Sequence, residues 1–201
     1  MKYFLSLYIL ILTTANFHSQ DTLCEKIIIK SEIFAKNCLD QYFLQNKVNK
    51  EEFIASFENY FIDNKLVEST NKKGELYWNI LKYIETHPDK MPTIKTPGYI
   101  MGVAKKLQLT IPKLIKYEQI ACIRVSYKTY KSKCKNDNKS TLYVFGDIAT
   151  ALPENSDLHY SIIASTLRQF TTPTELDKTV YQENIVLLFW FQLSSFYGKW
   201  E

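Results

Sequence analysis

Four cysteines, Cys24, Cys38, Cys122 and Cys134, constrain this chain more than any other feature. They fall in two pairs, spaced 14 and 12 residues apart, and each pair sits in a stretch with helical apolar periodicity. Within one helix, residues 14 apart point in nearly the same direction but are separated by roughly 21 Å. A disulfide tolerates Cα atoms no more than about 7 Å apart. Cys24 therefore cannot bond Cys38 while both are helical. The near-equal spacing predicts an antiparallel helical hairpin stapled at both ends, Cys24 to Cys134 and Cys38 to Cys122. The competing pattern is local, Cys24–Cys38 and Cys122–Cys134, and needs a non-helical turn inside each pair. The loop-like run Lys133-Cys-Lys-Asn-Asp-Asn-Lys139 keeps that pattern open at the second pair. Nothing resembles CxxC, so zinc is not expected.

Disulfides presuppose an oxidising compartment, and the first twenty residues are consistent with one. Lys2 precedes the apolar run Tyr3 to Leu12, and small polar residues follow to Gln20. This is the pattern of a signal peptide over residues 1–20, with cleavage expected after Ala15, Ser19 or Gln20. The run is shorter than the roughly 20 residues that a membrane span requires. The expected product is a periplasmic or secreted protein, residues 21–201, without a transmembrane span. Cys24 lacks a lipobox and is not read as a lipid anchor.

Five glycines and six prolines in 201 residues leave few turns, which favours long helices. The fold class is therefore all-α, a single-domain bundle of about eight helices. Thr22 with Glu25 forms a capping box that opens a helix running to about Asn46. Asn49 with Glu52 opens a second, and a third covers 75–86 and ends before Pro88. Thr96-Pro97 supplies an N-cap with proline at N1. Thr110 and Pro112 start a long helix that reaches Lys133. A segment follows over 141–152, with a short strand as its alternative reading, and another begins near Ser156. The last starts at Thr172-Pro173-Thr174-Glu175 and contains Ile185 to Phe191, apolar on every side, as a buried central helix is.

Charge is distributed unevenly. Residues 105–139 carry ten basic and two acidic side chains, for +8, whereas residues 140–201 carry three and seven, for −4. On a regular helix Lys113, Arg124, Lys128, Lys131 and Lys135 share an arc of about 60°, with Tyr117 inside it and Tyr127 at its border. Cys122 and Val125 fall on the opposite, core-directed side. Such a cationic stripe suits an acidic protein or an anionic envelope component. Its plain alternative is a solubilising face neutralised by the acidic C-terminal third. No nucleic-acid reader motif accompanies it.

The catalytic motifs GxSxG, HExxH, Walker A and GxGxxG are missing, and no cofactor is expected. The one acid–base cluster is Asp147, Glu154, Asp157 and His159 around Pro153. It is a candidate hydrolytic site, with an ordinary solvated turn as the competing reading. His87, at a helix end before Pro88, complements the helix dipole. Asn138-Lys139-Ser140 is a lone glycosylation sequon.

A small exported helical protein with paired cysteines and no catalytic motif resembles periplasmic immunity proteins in architecture, though no motif is shared. The resemblance implies an inhibitory or immunity-type binding role. The first functional expectation is thus a non-enzymatic binding protein that uses Lys113, Tyr117, Arg124, Tyr127, Lys128 and Lys131. The alternatives are a small hydrolase at the acidic cluster, or a subunit that self-assembles through Trp190, Phe196 and Trp200.

Overall fold

The computed structural model describes the backbone of residues 2–107, 119–134, 140–151 and 159–198, with side chains from Leu23 onward and, in the second segment, from Cys122. Among the described residues there are nine helices and no strand: α1 (Lys2–Gln45), α2 (Lys50–Asp63), α3 (Lys73–Thr86), α4 (Pro97–Lys106), α5 (Gln119–Lys133), α6 (Thr141–Ala151), α7 (Tyr160–Phe170), α8 (Pro173–Leu176) and α9 (Thr179–Tyr197). None of the helices searched is long and apolar enough to cross a membrane.

Side-chain capping explains several boundaries. Asn49 accepts from the Glu52 amide at 3.1 Å and begins α2. Thr172 accepts from the Glu175 amide and donates to the Glu175 carboxylate, a reciprocal box with Pro173 at N1 of α8. The expected start of α5 at Thr110 or Pro112 and that of α7 at Ser156 lie outside the described residues. Within them α5 is described from Gln119, and α7 begins after an N-cap at His159.

Three boundaries differ from expectation. The box at Thr22 and Glu25 lies inside α1, because no glycine or proline interrupts residues 2–45 and the helix continues in both directions. The segment 141–151 is helical, and its strand alternative is excluded. The final helix is two, which raises the count to nine. Asp177 turns its carboxylate to the Gly74 amide at 2.7 Å, and the chain restarts at Lys178, the N-cap of α9. Gly74 permits this junction: a Cβ there would lie 1.9 Å from the Pro173 carbonyl oxygen.

Helix α9 is the central post, packing on α1, α2, α3, α4 and α8. Its aromatic side chains are distributed around it. Trp190 meets Phe57 edge-on at 5.6 Å and donates Nε1–H to Ser56 at 2.8 Å, and Phe191 stacks on Phe53 at 5.2 Å. A second layer is made by α5 against α1 and α6 against α5, with α7 on α3 and α6. The close α5–α6 approach depends on Gly146, where a Cβ would be 2.2 Å from the Tyr127 ring.

Candidate functional site

Two disulfides clamp α1 against α5 in antiparallel register, Cys24 to Cys134 and Cys38 to Cys122, each with 5.7 Å between Cα atoms. This is the stapled hairpin, not the local pairing. Cys122 and Cys134 are buried, as are Ile123, Ser126, Tyr127 and Tyr130, which fixes the inward arc of α5. Between the two bridges an open groove of about 230 Å³ follows the seam. Ile27, Lys30, Ser31 and Phe34 line one bank, and Val125, Ser126, Thr129 and Lys133 the other. Phe34 is 50% exposed and Val125 49% exposed.

Among the described residues the lining includes two lysines and no carboxylate. Lys128 stands exposed on the outer face of α5 with Arg124 half-buried beside it, and Lys133 is exposed at the end of the helix on the groove's bank. None of the ion pairs among the described residues involves these three or Lys30. Lys131 is held differently. It donates to the Tyr127 hydroxyl at 2.7 Å and lies over the Tyr127 and Tyr143 rings, 5.0 and 5.4 Å from their centroids.

Tyr127 requires a correction. It is 3% exposed, pressed over Gly146, and cannot anchor a partner from the surface. Its hydroxyl donates to Asp147 at 3.1 Å. Burial, and then the Asp147 carboxylate, hold that hydroxyl well above its ordinary pKa, so it remains a neutral donor. Val125 requires the reverse correction, since the periodicity assigned it to the core. Lys113, Tyr117 and Lys135 of the stripe lie outside the described residues.

In the acidic cluster, Glu154 and Asp157 lie outside the described residues. Asp147 accepts a hydrogen bond from the Tyr127 hydroxyl, and His159 is the N-cap of α7: its Nδ1 accepts from the Ser161 amide at 3.3 Å. Both described members thus have structural partners. Of the aromatics offered for self-assembly, Trp190 is 1% exposed and belongs to the core, a third correction, whereas Phe196 is 67% exposed. Trp200 lies outside the described residues. His87 is the C-cap of α3, stacked on Tyr83 at 4.6 Å. Among the described residues no three His, Cys, Asp or Glu side chains gather to hold a metal ion.

A larger groove, about 630 Å³, lies on the other flank of α1, where it meets the start of α6 and the α8–α9 junction. Its central charge is satisfied internally. Glu32 accepts from Lys178 at 2.8 and 3.0 Å and from the Tyr181 hydroxyl at 2.5 Å. The α1–α5 groove differs in that its cations have no such counterpart among the described residues. Phe34, Lys30 and Lys133 were not singled out by sequence reasoning. The available signal was Phe34 within the span bounded by Cys24 and Cys38, but its exposure depends on the packing of α5. No protein-family model, curated protein or solved structure matches this chain.

Proposed function

We propose that this chain is an exported, non-enzymatic binding protein of the periplasm or extracellular space, of an inhibitor or immunity type, that docks an acidic protein partner through α5. The observation that carries the reading is the set of uncompensated cations on the outer face of that helix. Arg124 and Lys128 have no carboxylate partner among the described residues, on an element tied covalently at Cys122 and Cys134. Complementary charge across an interface speeds encounter and excludes wrong partners, and a rigid, cross-linked helix spares the cost of ordering the backbone on binding. The two disulfides and the apolar run before Leu12 support export.

The test is affinity capture from native envelope and culture-fluid extracts with the oxidised protein, at low and then moderate salt. A single stoichiometric protein, lost when Arg124 and Lys128 are both changed to Glu while thermal stability is unchanged, is the expected result. Capture that survives the double reversal sinks the role of α5. The mature N-terminus, read by mass spectrometry of exported protein, is expected between residues 16 and 21.

A further inference from the structure

Resting on that docking reading, we infer that the groove between the two disulfides is an anchor pocket: it takes one aromatic or leucine side chain from an acidic segment of the partner protein, with carboxylates beside that residue reaching Lys30 and Lys133. The pocket has an apolar floor, a cationic rim and a rigid frame.

Size selects the kind of occupant. At about 230 Å³ the groove is smaller than the roughly 300–1,000 Å³ typical of small-molecule sites. It is large enough for one bulky side chain, the usual filling of an interface hot spot. Ile27, Phe34 and Val125 supply apolar surface, and half of Phe34 and half of Val125 face solvent. Burying such surface contributes about 25 cal/mol per Å², so a partner side chain seated against Phe34 and Val125 gains from both.

Charge selects the composition of the segment. Lys30 on α1 and Lys133 on α5 edge opposite banks, and no acidic side chain among the described residues lines the groove. A segment with carboxylates on both sides of its apolar residue meets one lysine at each bank. A basic or neutral segment would leave both ammonium groups beside an apolar contact without a counter-charge.

The frame explains why this stretch is suited to recognition. The eight described lining residues fall between the bridged cysteines, four within 24–38 and four within 122–134. In that register Phe34 lies across from Val125. Neither bank can slide or separate without breaking a covalent bond, and a pocket that is already shaped avoids the ordering cost of forming one.

Panning a displayed short-peptide library on the full, oxidised chain tests this directly. Convergence on sequences with one aromatic residue or leucine closely flanked by Asp or Glu is expected. Those peptides should lose at least about tenfold in affinity for Val125→Asp and for the Lys30→Glu, Lys133→Glu pair, but keep it for Phe196→Ser. Val125 and Phe34 are half-exposed, so polar replacements there should leave the disulfide map and thermal transition unchanged, which is checked on each variant. Failure to converge, convergence without the acidic flank, or equal affinity for Val125→Asp overturns the anchor pocket. So does saturable binding to anionic phospholipid vesicles that displaces the peptides, which would make the face a membrane contact. Partner capture that depends on Arg124 and Lys128 yet survives Phe34→Ser and Val125→Asp leaves the docking reading standing and removes only the pocket.

Discussion

At Lys50 one ammonium group holds two carboxylates, Asp40 on α1 and Glu183 on α9. Burial alone would lower the Lys50 pKa, but the two carboxylates together raise it, so it stays charged. Glu183 is only 2% exposed, and its Oε2 has no hydrogen-bond partner. Burial lifts its pKa above 4.5 despite Lys50. For Asp40, burial pushes upward, but the hydrogen bonds and charges of Lys36 and Lys50 hold it below 3.8. Removing the shared cation while keeping its size, as in Lys50→Met, would leave Glu183 buried without a partner. A loss of about 3–5 kcal/mol in urea unfolding is expected. The two acids act oppositely with pH. The Asp40 contribution is present above 3.8 and fades as pH falls through its lower folded value. The Glu183 carboxyl favours folding while protonated, and that favour is lost as pH rises from 4.5 through its higher folded value. Glu183→Gln should therefore gain stability relative to the parent as pH rises through mild acid. A difference between the two proteins that stays flat from pH 4 to 7 would contradict this.

Glycines at element junctions distinguish what the chain alone reveals from what assembly decides. Gly74, on the first turn of α3, is crossed by α8, and Gly102 in α4 has nothing within 4 Å of where its Cβ would be. Gly74→Ala should cost about 1–3 kcal/mol through backbone overlap, whereas Gly102→Ala should stabilise by about 0.5–1 kcal/mol through helix propensity. Thermal melts of the two variants should therefore move in opposite directions. The same contrast accounts for what was legible beforehand. Helix starts written by neighbouring residues, Asn49 with Glu52 and Thr172 with Pro173, could be read from a few positions. The α8–α9 break could not, because Asp177 turns toward an amide about a hundred residues away in sequence. Nor could the fate of Tyr127, which depends on the missing side chain at Gly146. In the candidate site Arg124 and Lys128 were visible as periodic charge. Val125 was placed on the wrong side because its neighbours Cys122 and Ser126, not its own hydrophobicity, define the inward arc of α5.

For the molecule as a whole, the bridges span 110 and 84 residues, and closing loops of that length removes up to about 5 kcal/mol of unfolded-state entropy per bond. Peptide mapping without reductant should recover Cys24 joined to Cys134 and Cys38 joined to Cys122. The Cys38→Ser, Cys122→Ser pair should lower the unfolding midpoint while far-UV circular dichroism remains helical; recovery of a Cys24–Cys38 peptide would overturn the register. The connectivity also sets an order of events. A chain that emerges from its N-terminus exposes Cys24 and Cys38 to oxidant well before α5 exists, so the nearest bond in time is the wrong one. Helix α1 forbids it, since once coiled it holds those two thiols roughly 21 Å apart. The first helix is thus a timekeeper, which keeps both sulfurs unspent until their partners have been made.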